Sequence, residues 1–175
     1  MINIVGFIAS KANAPEPAIR LLITILAGYP IALFYKSFLE GKINKICKHL
    51  YFLVLGVLLC IFNYGSDTFH SGIAVIITYF LSILLNGSLL VQVNFVFHMA
   101  YLLMGYYFTE SNDYDILWTM PHCVLVLRLI GYGFDVADGK SDETKLSKDQ
   151  KENGIKETPS LIELAAYSYF PSSFI

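Results

Sequence analysis

Three side chains in this sequence can carry a proton or hold an anion at membrane depth, His98, His122 and Arg128, and Asn94 can serve them as an amide partner. All lie within residues 92–139, where two apolar runs flank an acidic, aromatic connector. Polar and ionisable groups inside hydrocarbon are costly and turn toward a bundle interior or a wet cavity, so each raises a functional hypothesis. An imidazole can take a proton from a hydroxyl near neutral pH, and Trp118, four residues before His122, could pack on a substrate. His122 also follows Pro121 at the start of an expected span, and the spacing favours the plainer reading of a helix-start or interfacial histidine. Asn94, His98, Tyr101 and Gly105 recur at four, three and four residues, which is one helical face. Hydrogen bonding between packed spans, worth on the order of 1 kcal/mol per bond, accounts for such a face before any chamber lining is invoked. Arg128 lies about two helical turns before Asp135, or about 10 Å, too far for a direct pair within one helix. Its long side chain either snorkels to the interface or meets a phosphate or carboxylate, and both readings stand. His49 and His70 fall in expected loops.

The elements that must position these residues are dictated by composition. The chain has 175 residues, 55% hydrophobic and 15% charged, with a mean hydropathy of +0.57. Soluble domains carry about a quarter charged residues, so the expected class is an integral membrane protein. A net charge of -2 and no basic stripe give no reason to expect nucleic acid as a partner. Cys47, Cys60 and Cys123 are odd in number and lack CxxC spacing, so they read as isolated thiols and not as a disulfide or metal framework. A calcium loop starting at Asp135 fails, because its twelfth position is Leu146 and not glutamate. No metal is expected.

The spacing predicts an all-α polytopic bundle of about five spans, at 18–39, 50–64, 72–85, 90–108 and 117–134, each judged against the roughly 20 residues that cross a bilayer. Residues 1–17 read as a tail, 18–134 as the transmembrane region, 135–159 as a charged cytoplasmic loop and 160–175 as the start of a further helical segment. Gly28, Tyr29 and Pro30 predict a kink or two half-helices in the first span. Ser160 and Glu163 predict a capping box opening a helix over 161–170 that Pro171 ends. Alternating spans place Lys36, Lys42, Lys45, Lys48, Lys140, Lys145, Lys148, Lys151 and Lys156 on one side, and Lys11 and Arg20 with Asp67, Glu110, Asp113 and Asp115 on the other. By the positive-inside rule the lysine side is cytoplasmic. Asn86 in an Asn-Gly-Ser sequon falls on that side, so a glycan there would overturn the orientation.

The strings GYPIALFYKSFL (28–39), VNFVFHMAYLLMGYYFTES (93–111), YDILWTMPHCVLVLRLIGYGFDVADGK (114–140) and TPSLIELAAYSYFPSSF (158–174) resemble the membrane-bound O-acyltransferase family, in its lysophosphatidylcholine acyltransferase branch. The resemblance implies a multi-pass enzyme of the endoplasmic reticulum membrane that moves an acyl group from acyl-coenzyme A, as co-substrate, to a lysophospholipid hydroxyl. No bound cofactor is implied; membrane lipids, lysophospholipid and acyl-coenzyme A are the expected partners, and the oligomeric state is open. The family's catalytic histidine and asparagine belong to its later half. No Trp-His-Asn string occurs here, so the expectation is an N-terminal portion without a catalytic residue of its own. Asn94, His98, Tyr101, Trp118, His122 and Arg128 remain as candidates for the wall of a substrate chamber. A non-catalytic membrane scaffold or a small transporter-like protein would also place such residues inside spans, although no internal repeat is visible.

Overall fold

The computed structural model describes residues 4–109, 117–142, 144 and 146–170. Among these residues every regular element is helical: α1 (Ile4–Ala12), α2 (Glu16–Phe34) running into a π-helical turn (Tyr35–Leu39), α3 (Lys45–Tyr64), a 3-10 turn (Gly65–Asp67), α4 (Thr68–Leu84), α5 (Gly87–Thr109), α6 (Thr119–Gly139), α7 (Lys148–Asn153) and α8 (Leu161–Ser168). Four helical stretches are long and apolar enough to cross a membrane: Glu16–Leu39, Lys45–Leu84, Gly87–Thr109 and Thr119–Gly139.

The second of these is 40 residues long and does not run straight. Gly65 takes φ 56, a left-handed conformation in which a side chain would be strained, and ends α3. Beyond it, Tyr169 sets its carbonyl against Gly56 of α3 and its hydroxyl 2.7 Å from Ser71 Oγ of α4. Residues 56 and 71 would be about 22 Å apart along one straight helix at 1.5 Å per residue, more than a single tyrosine spans. Hence α3 and α4 fold back on each other, and the chain is a bundle of about five spans.

Antiparallel neighbours follow one another. Asn63 Nδ2 donates to Thr24 Oγ1 (2.8 Å) and Tyr51 reaches Ile31 O (3.3 Å), pairing α2 with α3. His70–Tyr101 and Thr78–His98 pair α4 with α5, and Asn94 with Leu129 pairs α5 with α6. At the lysine-bearing end, Lys140 Nζ donates to Ser82 O (3.3 Å) and Asn86 Oδ1 (3.1 Å), so the ends of α4 and α6 meet there.

An apolar core that includes Leu90, Leu125, Leu129 and Val136 is joined by buried polar groups, while large apolar side chains cover the outside. Thr24, Ser71, Thr78, Ser82, Asn94, His98, Thr119, His122 and Ser168 are buried, while Leu22, Leu26, Phe38, Phe80, Val96, Leu103 and Leu127 are exposed. In water this arrangement would cost the hydrophobic effect and gain nothing. Against acyl chains it is the stable one, because polar groups find partners only between helices. Burial is uneven. In α6, 44% of the most apolar stretch is buried, against 6% in the first span, so α6 is the axis of the bundle.

Some sequence expectations change. The helix α2 continues unbroken through Pro30, and the departure from α geometry comes instead in the π turn from Tyr35. Residues 4–12 of the expected tail are helical. Within the expected charged loop, Ser147 and Gln150 form a reciprocal cap, and the short helix α7 follows it. Glu110, Asp113, Asp115, Lys145 and Pro171 lie outside the described residues.

The Ser160 box is present: Glu163 N donates to Ser160 Oγ (3.4 Å), and Ser160 N donates to Glu163 Oε2 (2.8 Å). The Ser160 backbone N–H and then its hydroxyl hold the Glu163 carboxyl below the usual glutamate range, with His49 and Lys45 adding smaller pulls. A depressed pKa in the folded state means this contribution is complete above the ordinary glutamate value and is lost as pH falls through the lowered one. Ser160→Ala is expected to cost about 1 kcal/mol and to raise hydrogen exchange at Glu163 and Leu164 while leaving α5 and α6 protected.

Candidate functional site

Between α4, α5 and α6 lies a polar seam. Thr78 Oγ1 sits 2.7 Å from His98 Nε2, 2.9 Å from Ala74 O and 3.5 Å from Asn94 Oδ1. The hydroxyl has one proton for three acceptors. Donating it to Ala74 O, as a helical threonine does, makes Thr78 the acceptor for a proton on His98 Nε2. His98 is then the Nε2–H tautomer, and its Nδ1, which has no hydrogen-bond partner among the described residues, is a bare acceptor and not an orphaned N–H. That assignment leaves the cheaper group unsatisfied.

Asn94 closes the seam at one end, donating from Nδ2 to Leu129 O at 2.8 Å. A side chain on Gly133 would meet this amide at 2.7 Å, so glycine there lets α5 and α6 approach. At the other end, Gly105 admits Trp118, whose Cη2 would lie 2.9 Å from a Cβ. Small residues at both ends of the α5–α6 crossing are what membrane helices use for close packing.

Around Trp118 the seam becomes aromatic. His70 stacks on Trp118 with centroids 4.0 Å apart and planes 7° apart, and its Nδ1 lies 2.7 Å from Tyr101 Oη. His122 meets Trp118 edge-on (5.2 Å) and Tyr101 at 5.6 Å. It is 1% exposed, and neither ring nitrogen has a hydrogen-bond partner among the described residues. Thr68 Oγ1 is likewise unpartnered and lines the same small pocket as His122, Cys60 and Ser71.

The structure therefore brings Asn94, His98, Tyr101, Trp118 and His122 together and adds His70 and Thr78. His122 stands in the first turn of α6, as a helix-start histidine does, and is buried there against Trp118 and Tyr101. One expectation is corrected. His70 is not in a loop but in α4, as His49 is in α3. A signal for α4 is present, since Ser71, Ala74, Thr78 and Ser82 repeat at three, four and four, which marks one helical face as the spacing on α5 does. Arg128 stands apart. Its Nη2 donates to Tyr167 O (2.6 Å) and its guanidinium lies 4.2 Å over the Tyr167 ring, tying α6 to the end of α8. A cation there also suits the negative end of the α8 dipole. Among the described residues no three His, Cys, Asp or Glu side chains come together as a metal cluster.

Tyr101→Phe, which removes only the hydroxyl facing His70, is expected to cost about 0.6 kcal/mol and no more than about 1.7, the range for such bonds in membranes. Thermal unfolding in detergent measures it; a loss several times larger would show that the bond organises more than one helix pair.

A helical bundle with apolar outer faces and a polar seam within its core defines a polytopic membrane protein. Residues 103–175 match the membrane-bound O-acyltransferase family. Over nearly its whole length the chain is also similar to proteins named lysophospholipid acyltransferase 5. It is 58% identical to that of Drosophila melanogaster over 170 residues, 96% of this chain and 34% of the relative. For Homo sapiens the figures are 41% over 169 residues, 96% and 34%, and for Caenorhabditis elegans 36% over 170 residues, 97% and 36%. The family match thus falls on the later part of the chain, and the chain spans about a third of the length of the curated relatives it matches.

Proposed function

We propose that the protein to which this chain contributes transfers an acyl group from acyl-coenzyme A to a lysophospholipid hydroxyl in the endoplasmic reticulum membrane. The observation that carries the reading is similarity along 96% of the chain to a lysophospholipid acyltransferase at 58% identity. Acyl-coenzyme A enters as co-substrate, and membrane lipids are the partners. In this reading Asn94, His98, Tyr101, Trp118 and His122 form one wall of the substrate chamber, and Arg128 fixes α8 against it. No catalytic residue is assigned to the chain.

The wall has a physical logic. Asn94 and His98 are spent on holding α4, α5 and α6 together, which leaves them little freedom to act on a substrate. His122 keeps both ring nitrogens unengaged at the aromatic end of the seam, where a lipid hydroxyl or ester could be met.

A chimera tests the reading. This chain replaces the matching 170 residues of the Drosophila relative, and transfer of labelled acyl groups from acyl-coenzyme A to lysophosphatidylcholine is followed in microsomes. Transfer by the chimera, with none from the 175 residues alone, is expected. A stably inserted but inert chimera would overturn the assignment.

A further inference from the structure

A second cavity lies well away from the polar seam. It has a volume of about 210 Å³ and is lined by Tyr132, Asp135, Ile155, Pro159, Glu163, Leu164 and Tyr167. Asp135 is 13 residues beyond His122 on α6, or about 20 Å along the helix. The cavity therefore opens toward the end of α6, where Lys140 joins α4 and where Ile155 N donates to Asp135 O at 2.8 Å. That end is the lysine side, so the cavity lies near headgroup depth.

Its chemistry opposes its surroundings. Lysines crowd this face of the protein, yet the described residues lining the cavity include two carboxylates, on α6 and α8, and no lysine or arginine. Both contacts of the Glu163 carboxylate with Ser160 use Oε2, so its other oxygen takes no part in the cap. Two tyrosines and the apolar Ile155, Pro159 and Leu164 form the remaining walls. The Tyr167 ring already carries one cation, Arg128 at 4.2 Å, on the α6 side. Aromatic rings with carboxylates around an apolar floor recognise ammonium groups. The rings and carboxylates supply the field, and the apolar wall accepts N-methyl groups or the adjoining methylenes.

We infer that the cavity between α6 and α8 binds the ammonium headgroup of a phospholipid from the lysine-side leaflet. A lipid is favoured over a soluble amine because the site adjoins a membrane-spanning helix. The inference rests on the bundle's orientation in lipid and does not depend on acyl transfer.

The test uses the 175-residue chain in detergent micelles containing trace phosphatidylcholine and phosphatidylglycerol in equal amounts, with retained lipid counted by native mass spectrometry. Phosphatidylcholine is expected to be retained about tenfold over phosphatidylglycerol. Asp135→Asn with Glu163→Gln, which keeps the capping box, should abolish the preference. Asp135→Lys with Glu163→Lys should invert it, an outcome that misfolding would not produce. Millimolar choline chloride, compared with sodium chloride at equal ionic strength, should release the bound phosphatidylcholine and so separate headgroup recognition from acyl-chain adhesion. Equal retention of the two lipids by the wild type, an unchanged preference in the neutral double variant, or no release by choline would each overturn the inference.

Discussion

Valine at position 56 is expected to unseat α8. The Cβ of any residue there would run into the backbone carbonyl of Tyr169, and it would also meet the Tyr169 Cβ at 2.8 Å. The obstruction is main chain and cannot rotate away as a side-chain tip could. Overpacking in a filled interior costs about 1–3 kcal/mol when side chains can adjust, and Gly56→Val should reach or exceed the top of that range. Because Tyr169 also holds Ser71 through its hydroxyl, separating α8 from α3 should release it from α4 as well. Hydrogen exchange over 161–169 should rise toward that of a free segment, with smaller changes in the α5–α6 pair. Even Gly56→Ala should show the effect in part. Unchanged protection of α8 in the alanine variant would mean that the two backbones do not approach as described.

The second large effect is expected at Thr78. Valine matches threonine in shape but removes the hydroxyl against which His98 Nε2 and Asn94 Oδ1 are placed. A buried group left without its partner costs about 1–3 kcal/mol, whereas measured couplings between polar side chains in membranes reach only about 1.7. The loss for Thr78→Val should therefore fall near 1–2 kcal/mol, with Thr78→Ser retaining the bond. A double-mutant cycle with His98→Leu isolates the pair. A coupling indistinguishable from zero would mean that back-bonding to Ala74 O alone explains the threonine.

Much of this architecture can be read from the chain. Hydrophobic runs located the spans because hydrocarbon thickness leaves little choice of length. Ser160 and Glu163 located the start of α8 because the capping box is a local interaction. The face shared by Asn94, His98, Tyr101 and Gly105 was legible for the same reason: helical periodicity is written within one element. Partners were not. Proximity to Pro121 placed His122 at a helix start, but nothing local to it says that Trp118 and Tyr101 will cover it. Arg128 suggested a phosphate or a carboxylate, and its contacts include a carbonyl and a ring 39 residues away that no local pattern announces. His70 was missed because the preceding Gly-Ser-Asp turn drew the helix boundary too late, leaving it in a loop. The Ser147 cap inside the charged loop shows a related limit: charge density marks a segment as solvated, but it does not exclude a short helix.

The wedge that α8 makes between α3 and α4 has a consequence in time. Gly56 and Tyr169 are separated by 169 minus 56, or 113 residues of chain. At about 5–20 residues per second, translation needs roughly 6–23 s to supply the tyrosine after the glycine has been made. For much of that interval α3 and α4 exist without the segment that later packs against both. The hairpin thus cannot close early without shutting out its later tenant. Gly56 leaves on α3 the room that the Tyr169 carbonyl takes when it arrives.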